Sequence, residues 1–192
     1  MKKYFAVAML LLVSLATIAQ KTTVVLSDGA QLLFKDTKSK LTNDEKNWFF
    51  KKMNFNLSKD KKQFISDEIE VGVQLFVTDI NKDAVEEVFI IVQSVALFGN
   101  TGQGFSLFIK SNAGKFELHD EIGGGIAMII TSKKTGYPDI AIGGPGFKFP
   151  AYRWDGKKYK YFKEIKDADL QSNKIKYLHP DECSKLYTDT LK

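Results

Sequence analysis

Oxygen-bearing side chains recur at alternate positions in the run Thr78-Asp79-Ile80-Asn81-Lys82-Asp83-Ala84-Val85-Glu86-Glu87-Val88. A hard cation such as Ca2+ takes several oxygen ligands from a short loop, and alternate residues of an extended turn bring them to one point. Asp79, Asn81, Asp83 and Glu87 would supply side-chain oxygens, and Val85 a backbone carbonyl. The run is not an EF-hand. Its twelfth position, where a bidentate Glu is required, is Ile90, and Ala84 stands where the loop glycine belongs. The same residues also suit an ion-free connection between strands, because Asp and Asn side chains cap nearby backbone amides. Calcium is the one cofactor that the sequence suggests.

Other reactive residues lack the partners that chemistry needs. His179 and Cys183 are spaced to share a helix face. A nucleophile pair requires an activated thiolate and an oriented imidazole, and their polar surroundings offer neither. Gly-x-Ser-x-Gly, His-Glu-x-x-His and Ser-x-x-Lys motifs are missing. Adjacent carboxylates, Asp120 with Glu121 and Glu86 with Glu87, point to opposite faces of a strand, which is poor geometry for paired acid–base work. No catalytic residue is assigned. The glycines of Gly99-Asn100-Thr101-Gly102-Gln103-Gly104 lack the Gly-Lys-Ser/Thr of a phosphate-binding loop and read as hairpin glycines. Flanked by aromatic residues, such loops form a candidate recognition rim: Phe98, Gly99, Asn100, Gly102, Gly104 and Phe105 on one side, Phe147, Phe149 and Tyr152 on the other.

The elements that must position these residues are mostly strands. Ile69, Val71, Val73 and Leu75 alternate with polar residues or glycine, which is the period of a half-buried strand running to Asp79. A β-rich apolar run, Glu87 to Val95, leaves the oxygen-rich loop. Further strands are expected at 105–110, 116–118, 126–131, 139–142, 151–154 and 159–162, with turns at Gly114, Lys133 to Gly136 and Gly156. Thr42-Asn43-Asp44-Glu45 is a capping box that predicts a helix over about 43–53, with Trp48 and Phe49 in the core. Thr22 to Leu26 predicts a strand, with Leu32 to Phe34 as its hairpin partner. Pro180-Asp181-Glu182 fits the first turn of a C-terminal helix. The expected fold is a β-dominated α+β domain: an antiparallel sheet or sandwich with an N-terminal and a short C-terminal helix.

Asp79-x-Asn81-x-Asp83-x-x-x-Glu87, set between Phe76-Val77-Thr78 and Val88-Phe89-Ile90-Ile91, resembles the calcium loops of FG-GAP repeats, as in integrin α-chain propellers. Lys82 and Ala84 depart from the family, which places glycines inside the loop. The wider run also resembles small exported bacterial proteins of uncharacterised function. Those pair such a loop with motifs like Gly136-Tyr137-Pro138-Asp139-Ile140 and the turn from Trp154 to Tyr159. The resemblance implies a β-rich fold, a calcium-stabilised loop and no enzymatic activity.

Composition narrows the partners. Lys2 and Lys3 precede an apolar run from Phe5 to Leu15, and Thr17-Ile18-Ala19 offers small residues before Gln20. That pattern predicts a cleavable signal peptide over 1–19, a run too short to span a bilayer, and a single β-rich domain over 20–192 with a polar tail from about 166. No cysteine follows the apolar run, which argues against a lipoprotein anchor. The expected location is periplasmic or secreted, with no integral membrane segment once the signal is removed. The formal charge is +5, carried almost wholly by lysine, with Arg153 the one arginine. Arginine is the preferred residue for bidentate recognition of phosphates and bases, so nucleic acid is not an expected partner. Cys183 is the one cysteine, so no internal disulfide can form. These features point to an exported, non-enzymatic binding module for a protein or glycan of the envelope, calcium-stabilised if the loop takes an ion. The alternatives are an inhibitor of a secreted hydrolase such as lysozyme, with the 98–105 loop entering the target's cleft, and a hydrolase built from distant carboxylates.

Overall fold

The computed structural model describes residues 24–131 and 136–191. The expected signal peptide lies outside them, as do Thr22, Thr23 and most of the turn expected at 133–136. The chain begins with helices α1 (Asp28–Phe34) and α2 (Asn43–Lys52). A first sheet follows, with β1 (Asn56–Leu57), β2 (Phe64–Ser66), β3 (Ile69–Thr78), β4 (Glu87–Gln93), β5 (Gln103–Lys110) and β6 (Phe116–Leu118) paired in chain order. A short helix α3 (Val95–Phe98) lies between β4 and β5. The second sheet contains β7 (Ile126–Ile130), β8 (Ile140–Gly143), β9 (Lys148–Trp154) and β10 (Tyr159–Lys166). After helix α4 (Asp167–Gln171), β11 (Tyr177–Leu178) returns to pair with β7, and α5 (Pro180–Thr188) ends the fold. Every strand pairing is antiparallel, so the architecture is the β-dominated α+β sandwich.

Alternation along the strands explains the layers. In β4, Val88, Ile90 and Val92 face one core while Phe89 and Ile91 face another. Both faces are buried, so β4 reads as a continuous apolar run rather than an alternating one. The first core lies between the first sheet and helices α1 and α2, where Phe49 meets Phe108 at 5.2 Å and Phe116 at 4.8 Å between ring centroids. The second core joins the two sheets through Phe89, Leu107, Ile129, Ile140 and Tyr159. A third lies on the outer face of the second sheet, where Met128, Ile130, Ala151, Phe149 and Ile165 are covered by Leu170 of α4 and by Ile175.

α2 carries the expected capping box. The Glu45 N–H donates to Thr42 Oγ1 at 3.3 Å, and the Thr42 N–H donates to Glu45 Oε2 at 2.8 Å. The expected N-terminal hairpin is replaced by α1. Ser27 caps that helix through the Ala30 N–H, and Ala30, Leu33 and Phe34 fall at helical spacing onto the first core. Ser-Asp-Gly is therefore a helix start here rather than a turn. Gly29 is required because the Phe50 ring lies where a Cβ would stand, 2.2 Å from that position. The expected polar tail is built into the fold. β11 extends the second sheet, and Tyr187 of α5 is buried.

β10 contains an irregularity of consequence. Tyr159 pairs with Trp154 and Tyr161 with Tyr152, but Lys163 pairs with Ala151 and Ile165 with Phe149, so Phe162 is an extra residue. A bulge of one residue reverses the faces that follow it. Tyr159 consequently joins the core between the sheets, while Ile165, six residues on, joins the outer one.

Candidate functional site

The oxygen-rich run is where β3 turns into β4, and it folds onto itself. Asp79 Oδ1 and Oδ2 accept from the N–H groups of Asp83 and Ala84, at 3.0 and 3.1 Å. Asn81 Oδ1 accepts from the Asp83 N–H, and Asp83 Oδ1 accepts from the Val85 N–H at 2.8 Å. Asn81 Nδ2 donates to Asp83 Oδ2 at 2.7 Å. Lys82 and Ala84, the two positions where the calcium-loop family places glycine, both take left-handed backbone conformations, with φ of 63° and 67°. The loop thus adopts a path that favours glycine without having glycine there.

Glu87 sits beneath the loop, 1% exposed. Its Oε2 accepts from the Ile80 N–H at 2.8 Å and its Oε1 from the Tyr137 hydroxyl at 3.2 Å. Burial pushes its carboxyl up to about 8, and the neighbouring Asp83 and Asp79 carboxylates add to the rise. Glu86 points the other way. Its Oε1 accepts from the Lys40 N–H at 2.8 Å and from the Tyr187 hydroxyl at 2.9 Å, tying α5 to the first core. The two adjacent carboxylates therefore occupy opposite sides of the sheet, as strand geometry requires. Among the described residues, none of Asp79, Asp83, Glu86 or Glu87 forms a salt bridge with a lysine or arginine.

Among the described residues, no three His, Cys, Asp or Glu side chains form a group able to hold a metal ion. A cation at this loop would depend on the Asn81 amide oxygen and the Val85 carbonyl as well as on carboxylates. The residue types suit a hard ion, since oxygens alone are on offer. Each oxygen already engaged by an amide keeps a second lone pair.

The proposed rim is divided by the fold. Phe105 is buried in the core between the sheets and Phe149 in the outer core, so these two are packing residues, contrary to the expectation of a rim. They lie on opposite faces of the second sheet. Phe98 is half-buried, and its ring covers Gly104 so closely that a Cβ there would lie 2.5 Å from it. Gly99, Asn100 and Thr101 form a 3-10 turn, and Gly102 takes a left-handed φ of 69°. The predicted hairpin is instead a compact helical turn above a cavity of about 380 Å³ that Met53, Phe55 and Val92 help to line. Tyr152 packs against the core between the sheets and edge-on to Tyr161, leaving Phe147 as the exposed aromatic of the second loop.

The remaining reactive groups are held in structural contacts. His179 Nδ1 lies 3.0 Å from the Ala127 carbonyl. Burial pushes the Cys183 thiol up to about 12, so little thiolate is available for nucleophilic work. Among the described residues, no helix is long and apolar enough to cross a membrane. Comparison with protein-family models, with curated proteins and with solved structures finds no match for this chain.

Proposed function

We propose that the chain is an exported, non-enzymatic binding module of the periplasm or extracellular space, and that its 79–87 loop takes calcium as a structural ion. The observation that carries the calcium reading is the crowding of acid without a cation. Asp79, Asp83 and Glu87 stand close enough that the aspartates oppose ionisation of Glu87, and amides and a hydroxyl are their only protein partners. A divalent ion supplies the positive charge that the chain withholds. A binding role is favoured over catalysis by the divergence of Glu86 and Glu87 and by the high-pKa thiol of Cys183. The partner is a protein or glycan of the envelope.

Thermal unfolding with calcium and with chelator tests the ion. A ligand that binds only the native state raises stability by RT ln(1 + [L]/Kd), about 2.7 kcal/mol at a hundredfold excess over Kd. For a domain of this size that is a rise in Tm of roughly 5–10 °C. The rise should vanish in Asp79→Ala. An unchanged Tm at millimolar calcium overturns the calcium reading. Export is tested separately by the N-terminus of the protein recovered outside the cytoplasm, expected at Gln20.

A further inference from the structure

We infer that the outer face of the second sheet carries a binding site for a small organic anion with an apolar body. The inference rests on residues remote in sequence from the calcium loop and stands if the calcium reading fails. A cavity of about 350 Å³ opens on this face, within the range of small-molecule sites. Its apolar lining is Ile130 of β7, Ala151 of β9, Ile165 of β10 and Ile175. Arg153, Lys163, Lys174 and Lys176 surround it, and Asp139 is the one carboxylate in the lining.

That carboxylate is already committed. Asp139 accepts from Arg153 Nε at 3.0 Å and Nη2 at 2.8 Å, which fixes the guanidinium while leaving its other amino group uncommitted to Asp139. The guanidinium is further held 3.5 Å from the centroid of the Phe162 ring. Lys174 is shared with Asp169, outside the cavity, at 3.6 Å. Among the described residues, Lys163 and Lys176 have no carboxylate partner.

The wall that carries Lys174 and Lys176 is tied down by its backbone. The Thr131 N–H and hydroxyl donate to the Lys176 carbonyl at 3.0 and 3.2 Å, and the Ile175 N–H donates to the Asp169 carbonyl at 3.1 Å. The bulge at Phe162 brings Lys163 to this face. Excess positive charge over an apolar floor selects an anionic head, carboxylate or phosphate, joined to a hydrocarbon part.

Isothermal titration calorimetry of the full chain with octanoate, octyl phosphate and octanol tests the site. Both anions, or one of them, should bind, with octanol at least roughly tenfold weaker. The stronger of the two anions identifies the head group. The double variant Lys163→Met/Lys176→Met keeps the apolar stems and should weaken anion binding roughly tenfold or more at unchanged Tm. Lys115→Met, in the turn between β5 and β6, should leave binding unaltered. Binding of octanol as tight as that of the anions, anion binding that survives the double variant, or no binding at millimolar ligand would each overturn the proposal.

Discussion

Four carboxyl side chains gather where β3 turns into β4, and no lysine or arginine pairs with them. Four cations surround the cavity on the outer face of the second sheet, and the single carboxylate among them is spent on Arg153. The acidic region satisfies its charge with amides of its own loop, a local solution that fixes the backbone. The basic region leaves two amines without a carboxylate partner, on residues drawn from separate segments. The difference teaches that a formal charge of +5 describes neither region. Charge is sorted by the fold into one acidic and one basic locality. The first is internally satisfied and buried at Glu87, and the second is exposed and open to a ligand. Stability should respond to changes in the first, and binding to changes in the second.

The largest expected effect is on pH dependence without calcium. Glu87 has a folded-state value of about 8, above the ordinary 4.5. The native state then holds a proton that the unfolded chain has lost, and stability falls as pH rises from about 4.5 to 8. The slope approaches roughly 1.4 kcal/mol per pH unit at mid-range. Denaturant unfolding between pH 5 and 8 should show it, and Glu87→Gln should flatten it; an equal slope in both proteins would break the account of the buried acid. Next in size is Glu87→Ala at pH 5, which strands the Ile80 N–H and opens a void. A loss of about 3 kcal/mol is expected, whereas Lys163→Met on the other face should stay within about 0.5 kcal/mol. Comparable losses at the two sites would erase the contrast. The smallest effect is a gain. Ala84→Gly relieves a left-handed alanine and should stabilise the protein by about 1 kcal/mol, read as a rise of a few degrees in Tm.

Features that depend on neighbours in sequence were legible before the structure. The capping box at Thr42 and Glu45, the alternation of β3 and the proline at the start of α5 each need only a few residues to declare themselves. The 79–87 loop was legible for the same reason. Ser27-Asp28-Gly29 misled because the side chains that start a turn also cap a helix, and what decides is the burial of Leu33 and Phe34 against distant strands. Phe105 and Phe149 looked like rim aromatics because they flank glycines, yet each alternates inward along its strand. β11 is two residues long and exists through its pairing with β7. The basic cavity carried no local signal, since Arg153, Lys163 and Lys176 meet only after the second sheet and its covering segment are in place.

The extra residue in β10 has a consequence like a frameshift within a coding sequence. Up to Tyr161 the odd-numbered residues are read toward the other sheet, and from Lys163 onward they are read toward the outer face. One strand is therefore written in two frames. A single deletion near Phe162 would put everything downstream out of frame, sending Ile165 away from its core and Lys163 away from its cavity. Only a compensating change in the facing stretch of β9 would restore the sense, so the length of this hairpin is as much a part of the message as its letters.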